Sequence, residues 1–408
     1  MAPVDDLAYR LWRRGYRALG EERARADGAD AFEHRLLGRR TVVVRGRAGA
    51  QLFYDTDTIE RRKAVPAALA DLLFGHGAVH GLDGEEHRRR KEMFLEILGQ
   101  ESVDRLAEAV ASSLRRRLEA ARGREVVVFD ELVEAYGVAV LAWAGVDLSP
   151  DEARRTAPRL ARIVDGFGAA GPAYPRAWAE RLRCNAWARR VIAQVRSGTR
   201  VPAPGTPLLR IAARGDLDRR VAAVELLNLL RPTVAVAWPG TFAALALSEH
   251  PQWRTLLRDG AEGADDRRLH ERRVAFGHEV RRLCPFVPAL AGRVRRAGEI
   301  DGVPLRPGDR VVLDVVGTDR DPSLWADPEE FRPERFADVE PDPFGFVPQG
   351  GGDPRRGHRC PGEPLTVRIL AETLGVLAEV EYDVLSSPSY DATRIPTLPD
   401  RGLVVRLR

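Results

Sequence analysis

An arginine–proline pair, Arg231-Pro232, interrupts a stretch over 221–238 that otherwise reads as one long apolar helix. Proline inside a helix removes a backbone hydrogen bond and bends the axis, so this segment is committed to an irregularity. Arg231 also sets a permanent charge among Leu229, Leu230 and Val234. A buried guanidinium without an anion is costly, so it needs a partner. Glu225 lies six positions back, off the same helical face, and the next two turns are apolar. The counter-ion is therefore either a carboxylate distant in sequence or the carboxylate of a ligand.

The rest of the chain is that of a globular protein. Apolar residues make up 44 % and charged residues 30 % of 408 positions, enough for a substantial core. The net charge is +4, and Lys63 and Lys91 are the only lysines. Charges of both signs alternate, as in Glu21-Glu22-Arg23-Ala-Arg25-Ala-Asp27, whereas nucleic-acid binding gathers basic residues on one face; no nucleic-acid partner is expected. Cys184, Cys284 and Cys360 are far apart, without metal-ligand spacing or a disulfide framework, so a reducing, cytoplasmic location is expected. The start Met-Ala-Pro-Val-Asp-Asp lacks the order of a signal peptide. The most apolar run, 232–247, is shorter than the ~20 residues a membrane helix needs and contains Pro239 and Gly240, so no span is expected.

Helical periodicity dominates, over 86–98, 103–122, 131–145, 151–164, 176–197, 218–248, 268–283 and 362–379. Ser149-Pro150-Asp151-Glu152 predicts a capped helix start. Short strands are expected at 41–44, 126–129, 310–314 and 403–406, and a loop at 199–207. From about residue 284 the chain turns to ordered coil rich in Pro, Gly and Asp, a texture that usually carries function. The expectation is a mainly α fold with small β-sheets, in one domain over 1–408.

Cys360, between Gly357 and Pro361-Gly362, precedes a helix beginning near Glu363. The helix dipole and the charges of His358 and Arg359 favour thiolate there, a form suited to binding haem iron; a plain buried cysteine is the alternative. Glu279 and Arg282 share a helical face, which alone would be a surface ion pair. Arg335, in Pro333-Glu-Arg-Phe336, can complete a Glu–Arg–Arg cluster that pins the coil. The run 87–91 reads first as a solvated face, although His87 and Lys91, four apart, can reach haem propionates. His80 lies in a glycine-rich loop, where histidine is usually structural.

Glu279/Arg282, then Arg335, then Cys360-Pro-Gly362, in that order, resemble a cytochrome P-450. Arg231-Pro232 narrows the resemblance to the fatty-acid peroxygenase branch, which includes hydroxylases and olefin-forming decarboxylases. It extends over nearly the whole chain, through Phe53-Tyr-Asp-Thr-Asp, the segments 81–87, 165–172, 279–286 and 317–322, and Pro348-Gln-Gly-Gly-Gly. Two departures from the general P-450 pattern fit this branch. Arg231-Pro232 stands where an acid–threonine pair normally protonates dioxygen, and Gly350-Gly-Gly-Asp-Pro-Arg-Arg replaces the usual spacing before the cysteine.

The resemblance implies a P-450 helical prism binding haem b through Cys360 as axial thiolate, with His87, Lys91, His358 and Gly362 around the cofactor. It implies Arg231 and Pro232 as catalytic, Arg231 holding a fatty-acid carboxylate that itself moves the proton, with hydrogen peroxide as oxidant and no redox partner required. Reaction then falls at Cα or Cβ, giving hydroxy acids or terminal olefins, and His80 resembles the olefin-forming members. Phe74, Val79, Phe286, Val287, Pro288 and Leu398 are candidates for the apolar lining, with ordinary core packing as the alternative. The competing readings are a redox-partner-driven monooxygenase, a haem-binding sensor without turnover, and a haem-free helical binding module.

Overall fold

The structure, a computed structural model, describes residues 6–168, 171–258, 260, 265–284 and 286–408. The first five residues, Ala169-Ala170 of the 165–172 segment and Pro285 of the 279–286 segment lie outside the described residues.

The helices that matter for the site are α1 (Gly84–Ile97), α2 (Gln100–Ala120), α3 (Val128–Trp143), α4 (Pro150–Asp165), α5 (Ala173–Arg196), α6 (Arg219–Ala235), α7 (Ala237–Glu249), α8 (Asp266–Leu283) and α9 (Glu363–Glu379). The predicted start of α4 is a complete capping box: Ser149 accepts from the Glu152 amide, and the Glu152 side chain accepts from the Ser149 amide. α6 forms the centre, packed by α3, α4 and α5, and α9 lies between α2 and α8. All but one of its residues from Ala222 to Ala235 are buried, so it is apolar on every side because it has protein on every side. Together α6 and α7 are long and apolar enough to cross a membrane, but 89 % of that window is buried inside the protein, as in a core helix.

The expected irregularity in this helix falls elsewhere. Pro232 is accommodated within α6, and the break comes at Val236. Pro239 is the reason: without an N–H it cannot bond to Ala235, but it fits the first turn of a new helix.

A five-stranded sheet runs in the order β1 (Ala31–Leu36), β2 (Arg39–Val44), β8 (Arg310–Asp314), β5 (Ala289–Val294), β3 (Ile59–Glu60). β2 and β8 are parallel, Thr41 opposite Arg310, and the other pairs are antiparallel. A second sheet pairs β10 (Val404–Leu407) with β4 (Glu125–Val127) and β9 (Tyr382–Val384), and β6 (Gly298–Ile300) and β7 (Val303–Leu305) form a hairpin. Two expectations need correction. The strand at 126–129 ends at Val127, where α3 begins at once with Asp130 and Glu131 in its first turn, facing the positive helix end. The stretch after 284 is not all coil: 289–305 holds three strands, whose small residues, as in Ala289-Leu-Ala-Gly, hide the alternation of a strand.

Candidate active site

Arg231 lies on α6, only 5 % exposed. Its Nη2 donates to Asn228 Oδ1 at 3.3 Å, and its Nε has no hydrogen-bond partner among the described residues. No carboxylate is in ion-pair distance of it among those residues. Glu225 is nevertheless connected: its carboxylate accepts from Asn228 Nδ2 at 2.9 Å, from Arg90 at 2.7 Å and from the Val79 amide at 2.9 Å. Glu225 is therefore spent on Arg90 and the loop, and reaches Arg231 only through Asn228. Burial, with the nearby Arg181 charge, pushes the Arg231 guanidinium down to about 9. Thr233 of α6 and Thr241 of α7 donate their hydroxyls to the Leu229 and Ala237 carbonyls and offer no free proton donor.

His80 stacks on Phe74 with ring centroids 4.1 Å apart. It has free surface although protein encloses it, as a residue lining an internal hollow does. Burial first, then the charge of Arg231, pushes its imidazole down to about 3, so the ring is neutral at ordinary pH. His358, His87 and Lys91 also lie within electrostatic reach of it. The residues nominated from sequence thus converge around one hollow.

Cys360 is enclosed but with free surface, and lies within electrostatic reach of Arg231. Its amide donates to the Gln349 carbonyl at 3.0 Å, and Gln349 Nε2 approaches the sulfur at 3.8 Å. Gly362 stands at the N-terminal cap position of α9, and a Cβ there would lie 3.7 Å from the sulfur. Burial pushes the Cys360 thiol up, while the Gly362 amide, Lys91 and Gln349 pull it back down. The flanking charges do not help, because Arg359 pairs with Glu363 at 2.6 Å and His358 is itself held low by burial.

His87 and Lys91 are buried, so the solvated-face reading of 87–91 holds only for Arg88 and Arg89. His87 packs on His358 at 4.0 Å, and His358 Nε2 lies 3.3 Å from Asp83. Lys91 donates to the carbonyls of Gly357 and Arg359, clipping α1 to the cysteine loop, and its ammonium is pushed down to about 8 by burial. Sequence reasoning missed Arg61, next to Asp83, whose guanidinium covers the Phe53 ring at 3.9 Å and whose buried Nη1 has no partner among the described residues. Its position in the run Arg61-Arg62-Lys63 hid it.

Glu279 and Arg282 are not a surface pair. Both are fully buried and joined by two bonds of 2.7 and 2.8 Å, while Arg335 Nε adds a third at 3.1 Å. The Arg332 amide also donates to Glu279, and Arg282 donates to the carbonyls of Asp319, Pro328 and Glu330. Arg281, also missed, reaches the cysteine loop through Glu363 at 2.5 Å and Gln349 at 2.9 Å.

Among the lining candidates, Phe74, Phe286 and Val287 are half-buried, while Val79, Pro288 and Leu398 are buried. Val79 and Leu398 belong to the main apolar core, so packing explains them in part. Phe286 packs on Trp238 of α7 at 5.7 Å, a neighbour that sequence reasoning missed. Beside His80, at Gly81, opens a cleft of about 600 Å³ lined by Arg39, Arg62, Lys63, Arg293 and Arg310.

The donor set fits haem: one enclosed sulfur, and among the described residues no three His, Cys, Asp or Glu side chains that could cage a bare metal. The cations Arg61 and Lys91, with His87 and His358, suit the acid groups of a porphyrin rim. Comparison with known proteins agrees. The family description Cytochrome P450 matches residues 274–372. Cytochrome P450SP alpha (CYP152B1) in complex with (R)-ibuprophen is 40 % identical, with 99 % of each chain covered and a TM-score of 0.92. Cytochrome P450EX alpha (CYP152N1) with myristic acid is 33 % identical, covering 99 % of this chain and 97 % of that one, TM-score 0.91. A single-substitution variant of cytochrome P450 OleT in complex with arachidonic acid is 31 % identical, covering 99 % and 96 %, TM-score 0.92. This chain belongs to the cytochrome P450 family, within its fatty-acid peroxygenase branch.

Proposed function

We propose that the protein is a haem-thiolate peroxygenase that oxidises fatty acids at Cα or Cβ with hydrogen peroxide, giving hydroxy acids, terminal olefins or both. The whole chain acts as one haem domain, needs no redox partner and works in the cytoplasm. The observation that carries this reading is Arg231: a buried guanidinium within electrostatic reach of Cys360, with no acid of the chain in ion-pair distance among the described residues. Fatty acids in two similar solved structures support the substrate class.

Bound haem would supply an iron centre that activates peroxide. Cys360 would hold the iron, losing its proton as the cation binds, since burial alone keeps that proton on. Arg61, Lys91, His87 and His358 would hold the rim. The basic cleft at Gly81 attracts carboxylates toward the hollow. Arg231 then takes the substrate carboxylate through charge-assisted hydrogen bonds, which relieves its unpaired state. Because the hydroxyls of Thr233 and Thr241 are occupied, the proton is held and returned by the substrate's own carboxylate oxygen. Anchoring that end brings Cα and Cβ nearest the reacting centre. His80 acts as a neutral ring, donating at one nitrogen and accepting at the other.

The test is turnover of holoenzyme with peroxide as the sole oxidant and product analysis by mass spectrometry. Arg231→Ala is expected to keep the haem spectrum and lose about 100-fold or more of fatty-acid oxidation, the scale of a lost buried charge pair. Undiminished turnover in that variant refutes the carboxylate shuttle.

A further inference from the structure

Glu225, Asn228 and Arg231 follow one another at intervals of three along α6. The first and last are about 9 Å apart along the axis and about 120° apart around it, too far to touch. Asn228 fills the interval. Its Nδ2 donates to Glu225 Oε2 at 2.9 Å, and its Oδ1 accepts from Arg231 Nη2 at 3.3 Å. A carboxamide holds a donor and an acceptor in one plane, which suits a link between an anion and a cation.

The other carboxylate oxygen of Glu225, Oε1, is taken by the His80 loop. The Val79 amide donates to it at 2.9 Å and Arg90 Nη1 at 2.7 Å. Val79 opens the short turn Val79–Gly81, so its amide is one residue from His80. Arg90 also donates to the Gly77 carbonyl at 3.3 Å, a second tie on the same loop. Glu225 is fully buried; burial pushes its carboxyl up, and these donors pull it back down. One carboxylate is therefore bonded toward both His80 and Arg231. Cα and Cβ of a substrate held at Arg231 differ by one bond, about 1.5 Å. Displacements of about 1 Å already decide whether a group reacts.

We propose that Glu225 is a positioning residue: it ties the His80 loop to Arg231 through Asn228, and so sets the proportion of oxidation at Cα to oxidation at Cβ. This deepens the reading of Arg231 as the carboxylate site and rests on it.

The test is the ratio of 2-hydroxy acid to 3-hydroxy acid plus terminal olefin, formed by holoenzyme from tetradecanoate and hydrogen peroxide at equal haem content. Glu225→Gln keeps the shape but has a single acceptor oxygen, which serves either Asn228 or the loop. It is expected to keep the haem spectrum and to shift the ratio by about threefold or more. Glu225→Asp keeps the charge but is one methylene short of reaching both ends, and is expected to shift the ratio as far. It is the variant to read if Glu225→Gln does not hold haem. Leu226→Ala, at a buried neighbour about 140° around α6 from Arg231, serves as the packing control. It is expected to lower the melting temperature and leave the ratio unmoved. The proposal is overturned if neither Glu225 variant shifts the ratio threefold, or if Leu226→Ala shifts it as far as they do. Undiminished oxidation in Arg231→Ala overturns the carboxylate site as well. Lost oxidation there, with an unmoved ratio in the Glu225 variants, overturns this inference alone.

Discussion

Arg231 and Cys360 were both legible as residues, each from a local physical argument. The arginine stood out because a charge among leucines needs an explanation, and the fold leaves it without an acid alongside. At Cys360 the helix-end amide of Gly362 and the Lys91 charge do favour thiolate, but burial opposes them and Arg359 is paired with Glu363. Neither Arg61 nor Arg181 could be found in the sequence, since each is one arginine among many and only burial makes it unusual. Burial also sets a pH effect at a third residue. His278 accepts from Arg281 at 2.9 Å through Nδ1, lies between Phe336 and Phe346, and is pushed down to about 3 by burial and the Arg281 charge. The unfolded chain binds this proton below about 6.5 and the folded one only below about 3, so stability falls as pH drops through that window. His278→Gln should flatten melting temperature against pH there by about one proton, up to ~1.4 kcal/mol per pH unit. An unchanged slope would show that the ring charges freely in the native protein.

Elements were legible where periodicity was strong and lost where it was not. The eight predicted stretches are all helical, although 218–248 is split into α6 and α7, and Ser149 caps α4 as its spacing required. The break near Arg231 was placed at the wrong proline, because Pro232 can be carried by a helix packed on all sides whereas Pro239 starts a new one. The strands at 289–305 were missed for want of alternating side chains. At this scale α8 is the element most exposed to a single change. Glu279 accepts from Arg282, Arg335 and the Arg332 amide, all out of water. Glu279→Gln leaves buried guanidinium charge uncompensated and should cost about 3–5 kcal/mol in denaturant unfolding of the holoenzyme. A loss below about 1 kcal/mol would mean that the cluster merely fills space.

At the scale of the molecule, the long coil between Asp319 and Cys360 has few ladder bonds, yet it is held at points along its length. The Arg332 amide donates to Glu279, the Val347 amide to Asp319 Oδ1 at 2.8 Å, and the Cys360 amide to the Gln349 carbonyl. Its texture led to the expectation of an ordered coil, but the tie points needed the fold, since Glu279 and Arg332 are far apart in the chain. Hydrogen exchange should find those three amides as slow as the core of α8, because they open only when it does. Exchange at the rate of free coil would show that the segment moves on its own.

Glu279 and Arg281 sit two positions apart on α8, one securing the coil and the other, through Glu363 and Gln349, the sulfur loop. The sulfur loop is thus moored twice, to α8 through these bonds and to α1 through Lys91, and has little freedom to yield. The opposite wall is tight too, since at Gly75 a Cβ would collide with the Arg181 guanidinium.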